Sequence, residues 1–189
     1  MTVKSIIGEC LVKMGRKNFV EAVSQDGTAA EWSDDEKELA NALLYAINLT
    51  YREIVEQHFP LICKEDVCFV GKKLMTSTLE KNILYPVSLK KDEDRAYMKT
   101  FADRIESNFN GNATLEYAYM PTIAFGMDDS ISDMRITRKV MADGALGKYY
   151  FANKMFDLAQ SFDTSFRNGV SALKYKGRDI RVKRRRWQA

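Results

Sequence analysis

Histidine is almost absent from this chain of 189 residues, where His58 stands alone. Cysteine is scarce and odd in number: Cys10, Cys63 and Cys68 form no CxxC pair, and no His/Cys cluster surrounds them. A disulfide framework and a zinc site are therefore not expected, and a reducing compartment is the natural reading. No G-x-x-x-x-G-K-[ST], G-x-G-x-x-G or G-x-S-x-G motif occurs, so the common phosphate loops and the nucleophile elbow are missing. No stretch approaches the ~18 consecutive apolar residues of a membrane span. The opening "MTVKSIIGECLVKMG" is too short and interrupted in its apolar run for a signal peptide, and its apolar positions suit an amphipathic helix instead. The expectation is a soluble protein that stays where it is made, with no membrane contact.

What is present is globular composition, 46% hydrophobic and 29% charged, enough to bury one core. "GRKNFVEAVSQDGTAAEW" reads as a connector with a turn at "SQDG", where Gly27 tolerates a positive φ. "SDDEKELANALLYAINLTYREIVEQHF" begins with a capping box, Ser33 and Glu36, with Asp34 and Asp35 at the positive end of the helix dipole. Leu39, Leu43, Ala46, Ile47, Tyr51, Ile54 and Val55 recur at helical spacing, and Pro60 predicts a stop near His58. Residues 64–120 change to short β-branched and aromatic runs, read as a small antiparallel sheet in which Asn110-Gly111 marks a hairpin. "RAYMKTFADRIE" is open to a helical turn. The helical period returns after "MDDSISD". Ile136, Val140, Gly144 and Gly147 lie on one line, and Leu158, Phe162, Phe166, Val170 and Leu173 on a second, with a break at Asn153. Interior glycines cost about 1 kcal/mol each in a helix, which suggests a closely packed second backbone.

The expected fold is α+β and mainly helical: a helix bundle with a small antiparallel β insertion and an extended C-terminal arm. One domain would cover residues 1–173, with helices about 2–14, 34–58, 133–152 and 155–174 and the insertion about 64–120. The arm would be residues 174–189.

Candidates for chemistry read more simply as structure. His58 suits a helix C-terminus meeting the dipole rather than a general base. Cys63 and Cys68 read as small buried hydrophobes. Asp128, Asp129 and Asp133 could hold a divalent metal, but acids just before a helix are what capping predicts. The expectation is no enzyme: no catalytic residue, no metal and no cofactor.

The end of the chain, "KYKGRDIRVKRRRWQA", is different. From Lys174 on, eight basic residues face one acid, a charge of +7, so residues 1–173 carry −4 of the chain's total of +3. A tail gripping phosphate through counterion release, a solubilising end and an anionic-membrane contact all need basic residues but neither "IRV" nor a tryptophan. Extended, the segment places Ile180, Val182, Arg184 and Arg186 on one side and Arg181, Lys183, Arg185 and Trp187 on the other. That alternation suits strand addition to a protein partner, and Arg and Trp are common anchors of such contacts.

Taken in order, these pieces resemble the head–tail connector (adaptor, or neck-ring) proteins of tailed bacteriophages along nearly the whole chain. They are "ELANALLYAINLTYREIVEQHFPL", a β-region ending "LEYAYMP", the acidic "FGMDDSISD", "VMADGALGKYYFANKMFDLAQSFDTSFRNGVSALK" and a terminal "IRVKRRRW". The β-region is longer and richer in lysine than the family pattern, and the linker lacks its usual prolines. The resemblance implies a non-enzymatic virion protein, a ring of twelve beneath the portal that extends the DNA channel and presents a surface to tail proteins. It implies that Arg178, Ile180, Arg181, Val182, Lys183, Arg184, Arg185, Arg186 and Trp187 dock on the portal protein, and that genomic DNA passes without sequence-specific binding. The helices of 34–58 and 133–174 would supply the ring faces. The main alternative is a nucleic-acid-binding protein using the basic tail.

Overall fold

The computed structural model describes residues 1–24, 32–121, 124–132 and 135–175. The basic segment after Tyr175, with every residue expected to dock on a portal, lies outside them, as do Gly27 and Asp133. The chain divides into two compact units. One comprises Met1–Ile47 and the described residues from Gly126 on, and the other is Asn48–Phe125.

The first unit is helical, with α1 (Val3–Lys13), α2 (Lys17–Ser24), α3 (Asp34–Gln57, up to Ile47 in this unit), α4 (Arg138–Ala152) and α5 (Phe156–Tyr175). Thr2 caps α1 by accepting from the Ser5 N–H at 3.3 Å. Residues 1–3 also pair with the strand-like 129–131: Val3 N–H donates to Asp129 O at 2.9 Å and Ile131 N–H to Met1 O at 2.8 Å. The capping box at α3 is closed in both directions. Glu36 N–H donates to Ser33 Oγ at 3.3 Å, and Ser33 N–H to Glu36 Oε2 at 2.9 Å. The stretch read as a connector contains α2, which buries Phe19 and Val23 four residues apart.

α4 is the core of this unit. Every residue from Val140 to Gly147 is buried, so no side of the helix faces water over two turns. α5 runs antiparallel to it, and the two interlock through reciprocal glycines. A Cβ built on Gly147 would lie 3.3 Å from the backbone N of Asp163, and one on Gly169 would lie 2.6 Å from Val140 Cγ2. The turn between them is set by Asn153, whose Nδ2 donates to Tyr149 O at 2.8 Å, and by Lys154 at φ +61°. The buried stripe of α5 is Ala159, Phe166 and Val170, flanked by half-buried Phe162 and Leu173. Leu158, expected in that stripe, is 46% exposed because it sits one position off the contact line.

The second unit contradicts the expected mainly helical fold with a small insertion. The described chain is 48% helical and 26% strand, with two antiparallel sheets, so it is α+β with substantial sheet. β1 (Leu61–Phe69), β3 (Ile83–Lys91) and β7 (Gly111–Tyr119) are nine residues each and, with β4 (Asp94–Arg95), give a four-stranded sheet in the order β1-β7-β3-β4. β2 (Lys73–Met75), β5 (Met98–Thr100) and β6 (Arg104–Ser107) form a second, ordered β2-β6-β5, so "RAYMKTFADRIE" is strand and not a helical turn. The two share a core of their own, built on Val67, Phe69, Leu74, Leu89, Ile105, Leu115 and Tyr117.

β1 alternates strictly between exposed and less exposed residues, with Val67 and Phe69 buried, whereas β3 carries Pro86 with register shifts at 83/85 and 86/88 that interrupt its period. Pro86 is tolerated because β4 reaches only Lys90 and Lys91, leaving β3 with an open edge at the proline. Asn110-Gly111 does not join paired strands. β6 and β7 belong to different sheets, Gly111 takes φ +100° at the crossover, and Asn110 Oδ1 accepts from the Lys72 N–H at 2.6 Å. The tight two-residue hairpins are instead Gly71-Lys72 and Asp92-Glu93, with φ of +59°, +64°, +50° and +71°. Asn48, in the α3 stretch of this unit, holds Phe125 through both backbone groups, at 2.7 and 3.1 Å.

Candidate interaction surfaces

The residues that suggested chemistry are occupied as structural groups. His58 continues the end of α3, its N–H donating to Ile54 O at 3.0 Å. Cys63 packs against the sheet core, whereas Cys68, expected to be buried, is exposed. Cys10 is fully buried on α1, and burial pushes its thiol up to about 12, so it is not a nucleophile at neutral pH. Asp128 and Asp129 do not cap a helix. Asp128 meets Lys4 Nζ at 2.7 Å, and Asp129 accepts from the Gly126 N–H at 2.7 Å, closing a turn. The α4 cap is Thr137, which accepts from Val140 N–H at 3.4 Å. Among the described residues no three metal-ligating side chains converge, and no helix is long and apolar enough to cross a membrane.

Two polar groups are built into the interior. Asp143, in the middle of the buried run of α4, is 4% exposed and meets Lys13 Nζ at 2.5 Å. Glu9 links Lys13 to Arg138, at 3.9 and 3.5 Å. In the sheet unit Tyr117 is fully buried and donates its hydroxyl to Glu65 at 2.7 Å. That hydroxyl also accepts from the Lys81 N–H at 3.3 Å, while Glu65 takes the Glu80 N–H at 3.2 Å. Burial, reinforced by Glu65, raises the Tyr117 phenol well above its usual range. Both arrangements fix one element against another, α1 on α4 and β7 on the 80–81 turn. Glu9 and Arg138, at the outer end of the first, line an open groove of about 650 Å³.

Three outer surfaces stand out among the described residues, and two were not legible as surfaces in the sequence. At the tip of the α4–α5 hairpin, Phe151, Met155, Phe156 and Leu158 are each 46–66% exposed, grouped around the Lys154 turn. Leu158 is expected in a buried stripe from its spacing, and the break at Asn153 marks the position as an end. At the other surface of the helical unit, an open groove of about 820 Å³ lies between the α1–α2 turn, the start of α3 and the end of α4. Phe19, Leu39 and Tyr149 line it beside Arg16, while Asp35, Glu36 and Glu38 give it a negative rim. In the sheet unit, the outer face of the large sheet is a mixed-charge strip in which Glu116 accepts from Ser88 at 2.9 Å and Asp66 from Thr114 at 2.8 Å. No protein-family model matches the sequence, and no curated protein matches it.

Proposed function

We propose that the chain is a head–tail connector (adaptor) subunit of a tailed-phage virion, a non-enzymatic protein that repeats as a ring beneath the portal. Its partners are further copies of itself, the portal protein, a tail protein and the DNA that passes through the channel. The observation that carries the reading is the order of the sequence pieces, which ends in a basic, β-branched segment tipped by Trp187. The helical hairpin supports it. A ring subunit needs two different faces, because a closed heterologous contact joins unlike surfaces. The α4–α5 hairpin has an apolar tip at one end and leads into the +7 segment from the other. The ring number, twelve, and the virion location come with the resemblance.

The test is electron microscopy of the purified chain mixed with its portal, with and without residues 178–189. Rings on the portal that vanish with the truncation, and with Ile180→Ala and Trp187→Ala, are expected. A protein that forms no ring, and binds DNA with a steep salt dependence untouched by those two substitutions, belongs to the nucleic-acid-binding alternative.

A further inference from the structure

The groove of the helical unit is opposite in charge to the chain's own terminal segment. We propose that residues 176–189 of the same chain fold back into this groove, seating Lys183–Trp187 against the start of α3. Among the described residues, three carboxylates, Asp35, Glu36 and Glu38, rim the groove beside Arg16. The helix dipole and the cap account for acids in the first turn of α3, but Glu38 lies beyond that turn and is exposed. The apolar wall of Phe19, Leu39 and Tyr149 is the kind of surface an indole ring covers. The segment carries both complements, four consecutive cations at 183–186 followed by Trp187.

Reach fixes which part arrives. α4 and α5 are antiparallel, with Gly169 opposite Val140 and Gly147 opposite Ala159 and Asp163. Tyr175 therefore lies beyond the level of Val140, and the groove residues Tyr149 and Asn153 lie near the opposite end of α4. At 1.5 Å per helical residue the separation along the hairpin is about 25 Å. An extended chain covers it in about eight residues, which brings Lys183 to the groove. A second copy would supply the same chemistry, but a tethered segment acts at an effective concentration in the millimolar range. This inference holds whether or not the chain is a connector. Any anionic partner of the segment, phosphate or carboxylate, has to displace it from the groove.

The test is zero-length carbodiimide crosslinking of the full chain, mixed one to one with isotopically labelled chain and read by mass spectrometry. Links from Lys183 to Asp35, Glu36 or Glu38 are expected within chains of one label, and are expected to vanish in 1 M salt. Trypsin supplies the second readout. Asp35→Asn with Glu38→Gln, both exposed positions, is expected to speed cleavage at Arg184–Arg186 by about fivefold, as loss of two exposed ion pairs implies. Links between differently labelled chains as frequent as links within one label, links no more frequent than to other exposed carboxylates such as Asp66, or an unchanged cleavage rate in the double variant would each overturn the proposal.

Discussion

Gly169→Ala is the sharpest perturbation the helical unit offers, because one added carbon meets one identified atom. The new Cβ would sit 2.6 Å from Val140 Cγ2, against the 3.5–4.0 Å at which carbons rest in contact, an overlap of about 1 Å. Val140 cannot swing aside: it is 6% exposed, and a helical valine has one strongly preferred rotamer. Overpacking of this kind costs about 1–3 kcal/mol. Replacing a helical glycine by alanine returns about 1 kcal/mol of propensity, leaving a net loss of up to about 2 kcal/mol. For a chain of this size that lowers Tm by up to roughly 6 °C. Urea unfolding followed by tryptophan fluorescence isolates the effect, since residues 48–125 contain no tryptophan and Trp32 is buried against Phe19. The decisive comparison is the double variant Val140→Ala/Gly169→Ala. It is expected to be no less stable than Val140→Ala alone, a coupling of about 1–3 kcal/mol between residues in contact. Strictly additive changes in the double variant would show that the helices do not meet at this point.

Other expectations follow from the buried groups. Lys13→Met strands the Asp143 carboxylate inside α4 and is expected to cost about 3–5 kcal/mol, while Lys13→Met/Asp143→Leu recovers most of it, both read from urea midpoints. Cys10 has a folded pKa of about 12 against 9.0 unfolded, so the native state keeps a proton that the unfolded chain loses above pH 9. Stability should therefore fall between pH 9 and 12 by up to about 1.4 kcal/mol per unit from this group, a slope that Cys10→Ala removes. Tyr117→Phe deletes the donor to Glu65 and the acceptor of the Lys81 N–H, for an expected loss of about 1–3 kcal/mol by thermal unfolding.

Legibility followed how far each pattern depended on neighbours in sequence. Ser33 and Glu36 are three residues apart and satisfy each other, so the start of α3 could be read directly. The pairing behind Gly147 was legible as a close approach, though not its partner, because Asp163 lies sixteen residues on. The sheet was harder. Which of β1, β3 and β7 lie side by side depends on pairings such as Cys63 with Tyr117 and Leu89 with Leu115, and a proline with two register shifts hides the alternation of β3. α2 is eight residues long and directly follows the turn at Gly15, so Phe19 and Val23 give too short a run to set a helical period. The hairpin tip and the acidic groove could not be seen as surfaces, since exposure of Phe156 or Leu158 is decided by where the turn at Lys154 places them. The terminal segment was the reverse case, conspicuous in charge and lying beyond the described residues.

The paired glycine notches also act as a stop against sliding. Shifting α5 along α4 by a single residue would drive a side chain into the space that Gly169 leaves for Val140, so the two rods have one axial setting. A strut locked in this way passes load from one end to the other without creeping. Force applied to whatever follows Tyr175 is delivered to the apolar tip some thirty ångströms off as displacement, at about 1.5 Å of rigid length per residue.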